Sequence, residues 1–213
     1  DDVVELEDLD KWKQGLARLK DILGCKFLPI YGAEPLVVLE RLCGILRICR
    51  EIGLKNTVIT NGLLITDDVE KQLRDAGLES ITVSLDGLMS KLPDKFSKIK
   101  SEVASRLVLK TFKDLRDREV SLTITKLNIK ELPDIIDFFS AYGVWTSVDF
   151  IHFSKGQEGS KCPPKRVIRD LVLTEKDLPV VNKIFEKVWK QKEQGSLVHM
   201  SALVLCMFMV GVG

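Results

Sequence analysis

The chain has 213 residues, of which 45% are hydrophobic and 30% are charged. This composition excludes a mainly disordered chain and predicts one large domain, or one domain with part of a second. Lysine and arginine number 32 and aspartate and glutamate 31, so the net charge is +1. The balance gives no basic field for nucleic acid and no acidic tail. Because the chain begins at Asp1 without Met and ends in an apolar run, we expect it to be part of a longer protein.

The cysteines and histidines exclude several kinds of site. Five cysteines are present, and none forms a C-x-x-C pair, which disfavours a zinc ribbon and a disulfide framework. The two histidines, His152 and His199, cannot form an H-E-x-x-H site. We therefore expect a reduced, cytoplasmic protein. No signal peptide is visible, and the apolar run 202–210 is too short to span a bilayer.

Amphipathic helical runs alternate with short β-type runs along the chain. Apolar residues three or four apart predict helices over 6–23, 39–52, 66–77, 95–118, 132–143 and 174–189. Runs rich in Val, Ile, Leu, Thr and Phe predict strands over 25–31, 57–60, 80–85, 120–125 and 147–153, with a last apolar strand within 202–210. Thr66 and Thr174 are expected to cap their helices, the second together with Asp177, and Gly77 is expected to end a helix.

This alternation predicts a parallel α/β fold. Most of the strands carry too little polar alternation for one wet face, so they suit a sheet that helices cover. Right-handed crossovers would curl such a sheet into a barrel or partial barrel, or spread it into a doubly wound sheet. One irregular loop, 154–169, follows the fifth strand.

Small and polar residues cluster where four of the five strands end. The five ends read Tyr31-Gly32-Ala33-Glu34-Pro35, Thr60-Asn61-Gly62, Ser84-Leu85-Asp86-Gly87, Thr125-Lys126-Leu127-Asn128 and Asp149-Phe150-Ile151-His152-Phe153. Because parallel strands end at one edge of a sheet, the clusters suit a small polar ligand that lies across that edge. Each cluster taken alone is equally well explained as turn or cap chemistry. The G-x-G-x-x-G, P-loop and G-x-S-x-G motifs are absent, which disfavours dinucleotide enzymes, P-loop NTPases and hydrolases with a nucleophile elbow.

Three of these segments resemble the core of radical S-adenosylmethionine (SAM) enzymes. They run from Ile30 to Leu36, from Val58 to Leu64 and from Ile81 to Gly87, and they match Gly-Gly-Glu-Pro, Thr-Asn-Gly and Ser-Leu/Ile-Asp-Gly motifs in order and spacing. The resemblance implies a partial (β/α)₆ barrel of parallel strands with a C-terminal extension. Residues 1–153 would be the core barrel without its first strand and cluster loop. Residues 154–213 would hold the end of the barrel and the start of a substrate or auxiliary region.

The resemblance also implies a chemistry. Family members bind a [4Fe–4S] cluster on three cysteines, cleave SAM reductively and use a 5′-deoxyadenosyl radical to abstract hydrogen from a substrate. A peptide or a cofactor under maturation is the expected substrate, and a flavodoxin or ferredoxin is the expected electron donor. A cluster-free barrel that binds SAM or serves as a scaffold is the alternative, and an ordinary barrel enzyme that acts on a phosphorylated metabolite is the third interpretation.

The family's cofactor contacts carry over onto individual positions of this chain. The segment Gly32, Ala33, Glu34 and Pro35 matches the one that binds the methionine amine through backbone groups and the glutamate. Thr60 and Asn61 match positions near SAM and substrate, and Ser84 and Asp86 match positions that hold the ribose hydroxyls or the methionine carboxylate. The backbone around Ile151 matches the strand that borders the adenine.

The chain departs from the family pattern in two places. Ala33 replaces the second glycine, which is tolerable if its φ is negative. The C-x-x-x-C-x-x-C motif is absent, so no metal ligand is predicted here and the cluster cysteines are expected upstream of Asp1. Cys43 and Cys49 are interpreted as core thiols. Cys162 and Cys206 are also considered as ligands of an auxiliary cluster.

One further residue is a candidate for catalysis. Asp149 and His152 lie on opposite faces of the predicted fifth strand, because they are three positions apart. If Asp149 faces the barrel interior, it is placed to accept a proton from the substrate. The alternative is a structural aspartate whose hydrogen bonds are satisfied within the fold.

Overall fold

A computed structural model describes residues 9–86, 102–150 and 171–200. Its centre is a sheet of six parallel strands in the order β1-β2-β3-β4-β5-β6. The strands are β1 Phe27–Ile30, β2 Lys55–Thr60, β3 Ser80–Leu85, β4 Asp117–Ile124, β5 Trp145–Phe150 and β6 Val198–Met200. Each strand pairs with the next one in sequence, which is the connectivity of a barrel, whereas a doubly wound sheet reverses its order. The sheet is a half-barrel, so the barrel alternative is confirmed.

Five α-helices surround the sheet in the described ranges: α1 Leu9–Leu23, α2 Leu39–Ile52, α3 Asp67–Ala76, α4 Leu132–Ser140 and α5 Leu178–Glu193. The predicted caps are present. Val69 N donates to Thr66 Oγ1 at 3.3 Å, and Thr174 N donates to Asp177 Oδ2 at 2.7 Å. Gly77 follows α3 with a φ of +101°. No helix in the described ranges is long and apolar enough to cross a membrane.

The structure corrects the predicted helix over 95–118. Within the described residues of this range, helical residues 102–106 continue into a π-helical turn, Leu107–Thr111. Strand β4 then begins at Asp117. The predicted helix extended too far because Asp117 and Arg118 pair with Ser80 and Ile81 of β3. Strand β6 lies before the predicted apolar strand over 202–210, which falls outside the described residues.

The two faces of the sheet differ in polarity. Along β3, Ile81, Val83 and Leu85 are buried in the main apolar core, against which the helices pack. The alternate residues Thr82 and Ser84 point to the opposite, concave face. Thr82 is only 5% exposed and Ser84 is half-buried, so neither face of this strand is fully exposed to solvent although its residues alternate. Since its hydroxyls share one face, the half-barrel encloses a polar surface rather than a second apolar core.

Candidate functional site

The predicted strand-end residues lie at one edge of the sheet, as parallel strands require. Gly32 and Ala33 are exposed just beyond β1, and Glu34 is half-buried behind them. Pro35 begins a short 3₁₀ helix, Pro35–Val38, for which Glu34 is the N-cap residue. Every non-glycine residue of the described ranges has a negative φ, so Ala33 fits its position without backbone strain.

Glu34 ties the ends of β1 and β2 together. Its Oε1 accepts a hydrogen bond from Thr60 Oγ1 at 2.7 Å and one from Leu36 N at 3.2 Å. Its Oε2 accepts from Asn61 N at 2.9 Å. Two backbone amides and one hydroxyl therefore converge on a single carboxylate, which fixes its orientation at the sheet edge.

The carboxylate of Glu34 keeps capacity for one more donor. An ionised carboxylate has about four acceptor positions, and the three donors above leave one of them on Oε2. A positively charged donor is favoured there because charge-assisted hydrogen bonds are stronger than neutral ones. The arrangement suits a ligand ammonium group.

Thr60 and Gly62 form the turn that follows β2. Thr60 is 2% exposed, and its Oγ1 both donates to Glu34 and accepts from Gly62 N at 2.9 Å. Gly62 has a φ of +75°, which an L-residue rarely adopts. The Asn61 side chain accepts from Leu63 N at 2.9 Å, so its carbonyl oxygen stabilises the same turn.

A buried asparagine links the next two strand ends and was not predicted as a site residue. Asn128 is 2% exposed, and its Nδ2 donates to Asp86 O at 3.0 Å and to Thr123 O at 2.9 Å. Its Oδ1 accepts from Thr125 N at 2.8 Å. The backbone at Asp86 is thereby tied to the end of β4. The signal in the sequence was an asparagine three residues after a strand.

Ser84 and Asp86 are both half-buried at the end of β3. Ser84 pairs in register with Ser121 of β4, which pairs with Ser147 of β5. Hydroxyl groups from three neighbouring strands therefore lie in one row on the concave face. Such a row can donate to and accept from the hydroxyls of a sugar.

Asp149 also lies on the concave face, where it pairs in register with Thr123. It is half-buried, and its Oδ1 accepts a hydrogen bond from Phe150 N at 2.9 Å. Ile151, His152, Cys162 and Cys206 lie outside the described residues.

Two of the described cysteines, Cys43 and Cys49, do not fit an iron–sulfur cluster. Cys43 and Cys49 are 2% and 0% exposed. Burial raises the pKa of the Cys43 thiol, and it raises the pKa of Cys49 to about 11. Cluster ligands are thiolates, which these environments disfavour. No group of three His, Cys, Asp or Glu side chains suited to a metal occurs within 9–86, 102–150 and 171–200.

Most of this chain is similar to known proteins. The model of the Radical SAM superfamily matches residues 2–153. Fe-coproporphyrin III synthase of Methanosarcina barkeri is 28% identical over 198 residues, or 90% of this chain and 47% of that protein. PqqA peptide cyclase of Bradyrhizobium diazoefficiens is 30% identical over 131 residues, or 60% of this chain and 33% of that protein.

A solved structure shares the fold. SuiB of Streptococcus suis, crystallised with S-adenosylmethionine, superimposes with a TM-score of 0.65 over 94% of this chain and 44% of that one, at 19% identity. The chain spans about half or less of the length of the curated relatives described above.

Proposed function

Because the chain belongs to the radical SAM superfamily, we propose that the protein cleaves S-adenosylmethionine reductively and uses the resulting 5′-deoxyadenosyl radical to abstract hydrogen from a substrate. The observation that supports this function best is the Glu34 junction. Its carboxylate is fixed by three donors at the carboxyl edge of the half-barrel and has one acceptor position left for an ammonium group.

The remaining groups of the edge complement the other parts of SAM. Glu34 would accept a hydrogen bond from the methionine amine, beside the exposed backbone of Gly32 and Ala33. Ser84 and Asp86 would bind the ribose hydroxyls or the methionine carboxylate, since they offer a hydroxyl and an acceptor. Pro35, Thr60 and Asn61 would hold Glu34 in position. The backbone at Ile151 would border the adenine.

When bound, the sulfonium supplies a carbon–sulfur bond that one electron breaks. The electron would come from a [4Fe–4S] cluster, whose cysteine ligands we place outside the described residues, ahead of Asp1. A flavodoxin or ferredoxin would deliver the electron. The contribution of this chain is to hold the methionine and ribose groups still while that bond breaks, through acceptors whose own partners are already in place.

The substrate is proposed at the level of its class. A relative named PqqA peptide cyclase and another named Fe-coproporphyrin III synthase support a role in peptide modification or cofactor maturation. Asp149, on the concave face at the level of Asp86, would accept a proton from that substrate. Its Asp149→Asn variant should still form 5′-deoxyadenosine while releasing less product, which liquid chromatography with mass spectrometry can follow.

The test of the function is anaerobic reconstitution of the full-length protein with iron and sulfide. We expect an absorption band near 400 nm that bleaches with dithionite, and formation of 5′-deoxyadenosine and methionine from SAM. Glu34→Gln should weaken SAM binding by about 10- to 100-fold, since a hydrogen bond to a charged group contributes about 1.5–3 kcal/mol. Glu186→Gln, on the exposed side of α5, is the matched control and should bind SAM normally.

Three results would contradict the proposal in different ways. Binding of SAM without any cleavage, in a protein that assembles no cluster, would assign the chain to the cluster-free alternative. A protein that neither binds nor cleaves SAM would refute a SAM site at this edge. Equal losses in Glu34→Gln and Glu186→Gln would show that Glu34 does not contact the ligand.

A further inference from the structure

The concave face contains a second polar region, below the strand-end edge. A cavity of about 450 Å³ opens there between residues of all six strands. Its middle row is formed by Thr82, Glu119 and Trp145, which pair in register on β3, β4 and β5. This row lies four residues, or about 13 Å, below the level of Asp86 on the same face, at about 3.3 Å per residue.

The charge of the cavity is negative. Asp117 and Glu119 both line it, and the single cation in its described lining is Arg118. The Arg118 guanidinium is directed elsewhere, since its nitrogens donate to Val108 O and Tyr142 O at 3.0 Å each. Arg118 therefore does not neutralise the two carboxylates, and the other basic side chain of the described lining, His199, carries a charge only when it is protonated.

Glu119 has one well-placed partner. Its Oε2 accepts from Thr82 Oγ1 at 3.2 Å, while its Oε1 lies 3.7 Å from His199 Nδ1, beyond hydrogen-bond distance. Its side chain is 25% exposed, so its charge is only partly screened by solvent. The carboxylate is anchored through one oxygen and free to accept through the other.

An aromatic wall stands beside this carboxylate. Trp145 stacks on His199 with ring centroids 4.1 Å apart and an angle of 16° between the planes. An indole face attracts cations through its quadrupole, and this attraction adds to that of a nearby carboxylate. The stacking also holds Trp145 in one orientation at the cavity wall.

A buried hydroxyl in the same cavity lacks a partner. Thr57 is 5% exposed and lines the cavity, yet its Oγ1 makes no hydrogen bond within the described residues. A buried hydroxyl without a partner costs free energy unless a water or a ligand satisfies it. This is an independent indication that the cavity is built around a polar guest.

We propose that this cavity binds a cationic group of the substrate, a primary ammonium or a guanidinium, with Glu119 as the charge partner and Trp145 as the face against which the group lies. That the cation belongs to the substrate rests on the proposed function. An anionic group would be repelled by Glu119 and Asp117. The cavity volume is at the lower end of ligand pockets, so it suits a side chain rather than a whole nucleotide.

The depth of the cavity gives the cation a role in substrate selection. The cavity lies about 13 Å below the proposed SAM edge, by the strand rise used above. A substrate held at this point would present to the edge an atom several bonds away from its charged group. Glu119 would thus act as a specificity-determining residue, since it selects which part of the substrate faces the edge.

The test is a binding titration that needs neither SAM, cluster nor reductant. The probes are n-butylammonium and n-butylguanidinium, with n-pentanol as the neutral comparison and pentanoate as the anionic one. The readout is the indole Nε1–H resonance of Trp145 in ¹⁵N-labelled full-length protein, assigned as the signal that Trp145→Phe removes. We expect this resonance to shift saturably with the two cations and to stay in place with the other two probes.

Variants test how much the negative charge of Glu119 contributes to binding of the cations. Glu119→Gln, whose amide oxygen can still accept from Thr82, should raise the Kd of the cations at least fivefold, whereas Glu186→Gln should change it less than twofold. Ser121→Lys places an ammonium group two residues after Glu119 on the same face of β4. We expect this ammonium to occupy the cavity and to abolish binding of the cations. If Glu119→Gln does not fold, the loss of cation binding in Ser121→Lys is the test of the proposal.

Equal shifts with n-pentanol and n-butylammonium would overturn the proposal, as would unchanged affinity in Glu119→Gln or in folded Ser121→Lys. Cation binding in a protein that never cleaves SAM would leave the site standing while refuting the proposed function. The two failures are therefore distinguishable.

Discussion

Gly62 is the position where the strand-end turn is most sensitive to a single methyl group. It has a φ of +75°, and a Cβ built on it would lie 2.5 Å from Leu107 Cδ1 and 3.2 Å from Val83 Cγ1. Leu107 is 0% exposed, so its side chain has little room to move. Gly62→Ala therefore introduces both backbone strain and a steric clash with the π-helical turn.

The two contributions can be estimated separately. An alanine in the left-handed region costs about 1–2 kcal/mol. Forcing an extra methyl into a packed core costs about 1–3 kcal/mol. Gly62→Ala should therefore lower the free energy of unfolding by about 2–5 kcal/mol. Gly195→Ala is the matched control, because Gly195 has a φ of +96° with no atom within 4 Å of the added Cβ, and it should show the backbone cost alone.

Urea unfolding of the two single variants, of Leu107→Ala and of the Gly62→Ala/Leu107→Ala double variant tests this reasoning. Leu107→Ala alone should cost about 2–5 kcal/mol, through the cavity it leaves. The double variant should lose about 1–3 kcal/mol less free energy of unfolding than the two single variants lose together, since the alanine methyl no longer clashes. Additive costs, or equal costs for Gly62→Ala and Gly195→Ala, would refute the packing argument.

Four further results are expected. Cys43 and Cys49 should resist maleimide at pH 8 until urea unfolds the chain, because burial raises the pKa of both thiols; rapid native labelling would contradict this. Since burial raises the pKa of Cys49 from 9.0 to about 11, the free energy of unfolding should fall as pH rises between these values, and Cys49→Ala should flatten that slope. Asn128→Ala should cost about 2–4 kcal/mol in urea unfolding, because it leaves buried backbone groups without partners, and a loss under 1 kcal/mol would contradict this role. Thr60→Val should lower stability by about 1–2 kcal/mol and weaken SAM binding by misplacing Glu34, whereas unchanged SAM affinity would show that the hydroxyl does not position it.

The fold was largely predictable because its determinants are local. Hydrophobic runs and cap residues located β1 to β5 to within a few residues, and Thr66 and Thr174 cap as expected. The choice between a barrel and a doubly wound sheet did not follow from hydrophobic periodicity, since strand order depends on pairings between distant residues; the resemblance to the radical SAM core predicted the barrel. The start of β4 was missed because Asp117 pairs with Ser80, a contact that helical periodicity does not report.

The candidate site was predictable only in part, for a related reason. Glu34, Thr60 and Asn61 meet because parallel strands end at a common edge, which the order of the motifs already implies. The hydrogen bond from Asn128 to Asp86 spans 42 residues and depends on the orientation of the Asn128 side-chain amide. Glu119 was missed because it falls between the predicted helix and the predicted fourth strand, where a charged residue is expected to be solvated, and only the register places it beside Thr82.

The two glutamates differ in the number of donors that they accept from the fold. This number separates a residue that binds a ligand and also stabilises the fold, Glu34, from one that only binds a ligand, Glu119. Glu34 receives three donors, so an amide placed there would turn its NH₂ toward at least one of them and lose hydrogen bonds of the fold itself. Glu119 receives one close donor, which an amide oxygen satisfies equally well. Glu34→Gln should therefore lower both stability, by about 1–3 kcal/mol, and SAM affinity, whereas Glu119→Gln should leave the unfolding midpoint nearly unchanged and affect only the binding of cations. The reverse pattern would mean that Glu119 stabilises the half-barrel and that the edge tolerates a neutral residue at Glu34.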